Sequence, residues 1–212
     1  MTNEMDIGSI EHDKKKSSNG KVEKQELKLI PPSDPRVQSA IAPFSDDMLA
    51  EHGYQDRKEL ANDMYDTMKK YGGIGLTCNQ VGLPFNMFVI GGHFNIEKGL
   101  TLNCFNPIII SSGEEMVTMK EGCLTFPFLW LALSRRRKVV VKYEDENGDL
   151  QEGHLDGMMS RVFQHEYDHI LGRVFVERAS KLKLDMGYKK AAKQLDKYRK
   201  RMEKYGSKRN NI

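Results

Sequence analysis

Two histidines four residues apart, with a glutamate beside the first, constrain this chain more than any other stretch. The segment reads Gln164-His165-Glu166-Tyr167-Asp168-His169. On a helix, residues four apart stand one turn above each other on one face. Two imidazoles so placed can share one metal ion, and the adjacent carboxylate can take a proton from water held there. Met158, Val162, His165 and His169 are spaced by four, three and four, so they share a face. Phe163, Tyr167 and Ile170 form a second apolar row. Gly157 precedes the run and Gly172 follows its last turn, where glycine tolerates left-handed geometry. The spacing predicts a helix over 158–171. A buried helix with two hydrogen-bonded histidines fits the same pattern, so the rest of the chain has to decide.

A catalytic site of this kind has three protein ligands and an open position for water. The run continues as His169-Ile170-Leu171-Gly172-Arg173-Val174-Phe175. It follows the metzincin protease pattern up to the third histidine, where Phe175 stands instead. A thermolysin-like site needs a glutamate on a later helix. The span 188–194 offers none, and Glu177 is too close in sequence to swing round. The candidate is Cys123, in Glu121-Gly122-Cys123-Leu124-Thr125. A thiolate suits zinc or ferrous iron, and Gly122 lets the backbone approach the ion. A buried structural cysteine is the commoner fate of a free thiol. A third stretch, Gly73-Ile74-Gly75-Leu76-Thr77-Cys78-Asn79-Gln80, frees the backbone at two glycines and then offers a side-chain amide. Gln80 could donate to a developing oxyanion, or be an ordinary polar turn residue.

The three stretches, in this order, resemble those of the peptide deformylase family. That family carries Gly-x-Gly-Leu-Ala-Ala-x-Gln, then Glu-Gly-Cys-Leu-Ser, then Gln-His-Glu-x-Asp-His. This chain shows 73–80, 121–125 and 164–169 in the same order. The resemblance covers roughly 27–179. It implies one divalent ion, Fe2+ in the cell with Zn2+, Ni2+ or Co2+ as replacements, bound by Cys123, His165 and His169. It implies Glu166 as general acid/base, with Gln80 and the Leu124 backbone N–H as oxyanion donors. The implied reaction removes the formyl group from the N-terminal formylmethionine of new polypeptides and releases formate. Thr77-Cys78 replaces the usual Ala-Ala pair, and Thr125 the usual Ser. Trp130 is a larger departure: bacterial members often have a peptide-holding arginine there. Tryptophan offers a flat apolar wall instead of forked charged donors. Ile74, Met158 and Val162 are expected as walls of the methionine pocket. Tight backbone at Gly73, Gly75, Gly122 and Cys123 should admit hydrogen but hardly methyl on the carbonyl carbon.

Two rival readings stay on the table. A metalloprotease of another family would cleave internal peptide bonds and have no need of Cys123. A structural metal protein would close the ion with a fourth ligand, and the motifs offer no candidate. Asp168 reads either as a partner orienting a ligand histidine or as a surface carboxylate. His12, His52, His93 and His154 lack ligand spacing. Cys78 and Cys104 read as buried thiols, with Cys78 near enough to Gln80 to line the pocket.

The remaining chain gives the expected organisation. Its 212 residues favour one domain with polar ends, and a charged fraction of 30% suits a soluble protein. Three cysteines without regular spacing argue against a disulfide framework. No apolar run approaches membrane-spanning length, and the amino end lacks the apolar core of a signal peptide. Cytoplasm of a bacterium, or of the host bacterium of a virus, is the expected location, with an organelle open. No membrane or DNA partner is expected. The polar stretch 1–26 should be disordered. Four prolines, Pro31, Pro32, Pro35 and Pro43, predict an extended lead-in with at most a turn of helix after Pro35. A helix is predicted over 57–70, and strands over 85–90, 100–110, 115–120, 139–143 and 150–155. Pro107 should put the second strand at an edge or a bend. Glu146-Asn147-Gly148-Asp149 supplies a hairpin turn. The catalytic unit is expected over 27–179 as an α+β fold, with antiparallel sheets around a central metal-binding helix. Residues 180–212 hold twelve Lys or Arg against three Asp or Glu, a surplus of nine, while the whole chain carries +3. An amphipathic helix over 184–204 should dock by a seam of Leu184, Tyr188, Ala191, Leu195, Tyr198 and Met202. Its lysines read as a solvated face, or as a contact with ribosomal RNA near the nascent chain.

Overall fold

The computed structural model describes residues 26–93, 96 and 99–209, with side chains as far as 204. In chain order the elements are α1 (Asp47–Ala50), α2 (Arg57–Lys70), β1 (Gly75–Thr77), β2 (Met87–Gly91), β3 (Thr101–Ser112), β4 (Met116–Cys123), β5 (Phe126–Arg136), β6 (Lys138–Glu144), β7 (Leu150–Asp156), α3 (Gly157–Ile170) and α4 (Lys181–Arg209). The fold is α+β. A five-stranded sheet runs β1-β2-β3-β6-β7, and β4-β5 form a separate hairpin. Every pairing is antiparallel, as short connections favour.

Strand β2 shows why the large sheet holds a helix on each side. Successive side chains on a strand point to opposite faces. Met87 and Val89 join a core with Leu60, Met64 and Met68 of α2. Phe88 and Ile90 join another with Met159, Val162, Phe163 and Ile170 of α3. All four strand residues are fully buried, so the segment is a continuous apolar run without alternation. Helix α3 also touches β5, which places it between the sheet and the hairpin.

The ends of the helices follow their sequence signals. Asp56 accepts from the Glu59 backbone N–H at 2.8 Å and caps α2, and the Glu59 carboxylate accepts from the Gln55 N–H. Gly172 closes α3 with φ +69°, and its backbone lies so near Ser39 and Ala40 that a Cβ would sit 2.6 Å from the Ala40 nitrogen. The proline-rich lead-in thus clamps the end of α3, through an Ala40–Leu171 bridge and the Ile41 N–H to the Ile170 carbonyl. Its one helical turn is a 3-10 segment at Pro35–Gln38.

Several expectations change. Residues 75–77 form an edge strand rather than loop, and Gln80 sits in a 3-10 turn, Cys78–Val81. Phe126–Arg136 is an eleven-residue strand to which the sequence reading gave no element. Its inward Leu129, Leu131 and Leu133 alternate with outward Trp130 and Ala132, which are also apolar, so no period of two shows. Pro107 lies in β3, which is an inner strand paired to β2 and β6, not an edge; a register shift between Phe105 and Ile108 provides the bend. The polar stretch expected over 1–26 lies outside the described residues except for Glu26, which pairs with Lys70.

Helix α4 packs on β5, but its seam differs from the expected one. Tyr188 and Met202 are about half exposed. Leu184 and Ala191 of that seam do pack on the hairpin, joined by Gly187, where a Cβ would lie 2.7 Å from Leu131. Small residues one turn apart let the helix come close to Leu129 and Leu131. Tyr198 meets Phe128 with ring centroids 5.6 Å apart. No helix among the described residues is long and apolar enough to cross a membrane.

Candidate active site

Three side chains from two distant elements converge. Helix α3 supplies His165 and His169, whose ring centroids lie 5.3 Å apart. Cys123 arrives at the end of β4, and its Sγ is 3.3 Å from His169 Nε2. The ligand atoms of the three residues all lie within 4.8 Å of one another. This spacing fits a metal ion, since tetrahedral bonds of about 2.0–2.3 Å put neighbouring ligand atoms about 3.5 Å apart. Among the described residues this is the only such group of His, Cys, Asp and Glu. Phe175, where a metzincin would have its third histidine, is buried, with its ring tilted against that of His165 at 5.7 Å between centroids.

Electrostatics prepare the thiolate form that a metal needs. Burial alone would raise the Cys123 thiol, but His169 and His165 hold it well below its ordinary value. Burial would lower His165, yet Cys123 and Glu121 push it up to about 10. The His165 ring is fixed from behind: its Nδ1 lies 3.3 Å from Glu121 Oε2, leaving Nε2 for the ligand cluster. Burial would also raise Glu121, but His165 and Arg135 bring it down to about 2.

Behind the ligands lies a buried ionic network that the sequence reading did not contain. Arg135 donates to both oxygens of Glu121, at 2.7 and 2.9 Å, and to Asp168 at 2.7 Å. Arg161 donates to Glu121 and to the carbonyls of Leu133 and Val117, tying α3 to both strands of the hairpin. Asp168 is buried and also binds Arg178. It therefore anchors two arginines and is neither a surface carboxylate nor the acceptor for a ligand histidine. Glu121 holds that second role. Its place in the Glu-Gly-Cys motif was visible, but its contact with His165 spans 44 residues and has no local signal.

Glu166 faces β1. Thr77 Oγ1 donates to its Oε2 at 2.7 Å, and a Cβ on Gly75 would lie 2.3 Å from its Oε1. Only glycine admits the carboxylate there. Burial raises the Glu166 carboxyl, with His165, His169 and Thr77 opposing. Thr77 thus carries more than a small change from alanine. Gln80 is held at both ends: Oε1 accepts from the Thr77 N–H at 2.8 Å, and Nε2 reaches Thr125 Oγ1 at 3.0 Å and Cys123 Sγ at 3.4 Å. Asn79, another unforeseen support, donates to the His169 carbonyl at 2.8 Å.

The remaining expected residues surround this group. Leu124 follows the cysteine, and its side chain lies over Gly73. Ile74, Met158 and Val162 belong to one apolar cluster, with Val162 against Gly75. A separate groove is lined by Glu115, Val117, Met119, Arg136, Arg137, Gly157 and Arg161, and includes none of these three. Trp130 lies across from Gly122 on the hairpin and is 61% exposed. Cys78 turns away from the pocket into the α2 core, with its thiol 3.7 Å from Met87 Sδ. Cys104 is buried.

Known proteins carry the same pattern. A sequence model described as polypeptide deformylase matches residues 35–185. Peptide deformylase 2 of Xanthomonas axonopodis pv. citri is 37% identical over 169 residues, covering 79% of this chain and 95% of the relative. Peptide deformylase of Brucella suis is 40% identical over 136 residues, 64% of this chain and 78% of the relative. The crystal structure of a peptide deformylase from Legionella pneumophila superposes with a TM-score of 0.69 at 30% identity, covering 81% of this chain and 96% of that one. A peptide deformylase from Synechococcus elongatus in complex with actinonin gives 0.70 at 31% identity, covering 81% and 91%.

Proposed function

The chain belongs to the polypeptide deformylase family, a family of hydrolases, and we propose that it removes the formyl group from N-formylmethionyl peptides, releasing formate. The convergence of Cys123, His165 and His169 beside Glu166 carries this reading. These three residues would hold one divalent ion, Fe2+ in the cell, with Zn2+, Ni2+ or Co2+ able to replace it. When bound, the ion supplies acidity that makes water a nucleophile near neutral pH and polarises the formyl oxygen.

The chain's own groups do the rest. Glu166, steadied by Thr77, takes the proton of the attacking water as the new C–O bond forms. Gln80, pinned through its Oε1, and the Leu124 backbone N–H donate to the oxygen that gains charge. Glu166 then returns the proton to the amine nitrogen as the C–N bond breaks. Water and formamide are thereby converted to formate and a free amino terminus. Ile74, Met158 and Val162 wall the methionine side chain, and Trp130 flanks the peptide beyond it. The close backbone at Gly73, Gly75 and Gly122 leaves room for hydrogen on the carbonyl carbon, so acetylated peptides should react poorly.

We take 27–179 as the catalytic unit, acting in the cytoplasm; the lysines of the basic segment 180–212 serve as a solvated face, with contact to ribosomal RNA where nascent chains emerge as the alternative to test. The deciding experiment measures formate from formyl-Met-Ala-Ser with protein loaded with Fe2+ under anaerobic conditions. Stoichiometric formate and free amine are expected. Protein that binds the metal yet releases no formate would overturn the reading.

A further inference from the structure

We infer that Trp130 selects formyl-methionyl peptides with an aromatic or large apolar side chain close behind the methionine. This rests on the deformylase reading and names the substrates it favours. Trp130 is the chain's only tryptophan, and it projects from β5 between inward-pointing Leu129 and Leu131. Its cross-strand partner is Gly122, the residue before Cys123. A Cβ at Gly122 would meet three ring atoms at 3.3 Å, so the indole lies over the bare Gly122 backbone. The rest of the ring faces solvent at 61% exposure, and its N–H has no hydrogen-bond partner among the described residues.

An exposed indole with one covered side and one open side is a platform for an apolar group, and its cross-strand partner Gly122 directly precedes Cys123, so the ring stands on the stretch of hairpin that leads into the thiol. An extended peptide advances about 3.3 Å per residue. A chain whose formyl carbon lies at the ligands therefore passes the indole within its first few residues after methionine. The ring carries no charge, so it offers nothing to a carboxylate beyond its one N–H.

The test compares formyl-Met-Ala-Ala-Ala with peptides carrying one Phe, Leu, Glu or Lys at the second, third or fourth position, using metal-loaded full chain. At one position Phe should exceed Ala by about five- to tenfold in kcat/KM, carried by KM, with Leu between and Glu lowest. In Trp130→Ala the Phe/Ala ratio should fall to within about twofold of one, whereas Trp130→Phe should keep most of it. Because Trp130 is the sole tryptophan, its fluorescence should shift to the blue on titration with the unformylated peptide Met-Phe-Ala-Ala and its positional isomers. Equal rates for Phe and Ala at all three positions, a preference for Lys or Glu, or a Phe preference that survives in Trp130→Ala would overturn the inference while formate release continues. No formate from any peptide would instead overturn the underlying function, and this inference with it.

Discussion

The two faces of the β4–β5 hairpin come from alternate residues of the same strands, yet they are built on opposite principles. The inner face carries Glu121 and Arg135 beside Leu131 and Leu133, all buried, and reaches α3 through Arg161 and Asp168. The outer face carries Lys120, Trp130, Ala132 and Ser134, all exposed. Buried charges must be fully paired, so they fix their neighbours in one arrangement. Exposed groups fix nothing and stay free to meet a ligand. One face ties the strands to the helix that carries the histidines, while the other lies open to solvent.

Substitutions can pull this contrast apart. The largest effect is expected at the cysteine where the hairpin meets the ligands. Cys123→Ser should lower kcat/KM ~1,000-fold or more, with metal lost on dialysis, as followed by formate release and metal analysis. Next comes the inner face: Arg135→Met leaves Glu121 and Asp168 short of a buried partner and should cost about 3 kcal/mol in urea unfolding. A loss below 1 kcal/mol would mean that the network does not hold the hairpin. Thr77→Val, which removes the hydroxyl on Glu166 and keeps the shape, should lower kcat/KM about tenfold with unchanged metal content. Smallest is the outer face: Trp130→Ala should change unfolding stability by no more than about 0.5 kcal/mol. A cost near that of Arg135→Met would erase the distinction between the faces.

What could be read in the sequence follows the range of the signals. Helix α2 was readable because the spacing of Leu60, Met64, Tyr65 and Met68 and the closing Gly72-Gly73 are all local. The meeting of Cys123, His165 and His169 was legible because short motifs carry them in a recognisable order. The support behind them was not. Arg135 occupies an inward position of a strand whose outward face is also apolar, and nothing local marks it as buried. Nothing local marks Arg161 as buried, and its partners lie 28 to 44 residues away in sequence; Asp168 meets Arg135 across 33 residues. Thr77 stood in a familiar motif, and its bond to Glu166 crosses 89 residues. The seam of α4 was legible in part: Leu184, Ala191 and Tyr198 make contacts, Tyr188 and Met202 stay half exposed, and Gly187, with no side chain to count, also lies against Leu129 and Leu131.

That glycine sets how the basic arm is carried. Glycine within a helix costs about 1 kcal/mol relative to alanine, so the contact it permits has to outweigh a weakened turn. A larger residue at 187 would press on the side chains of Leu129 and Leu131, which must shift to admit it. A notch at Gly187 thus helps set the bearing of the ten Lys and Arg within 181–204, and its depth is read against two leucine side chains.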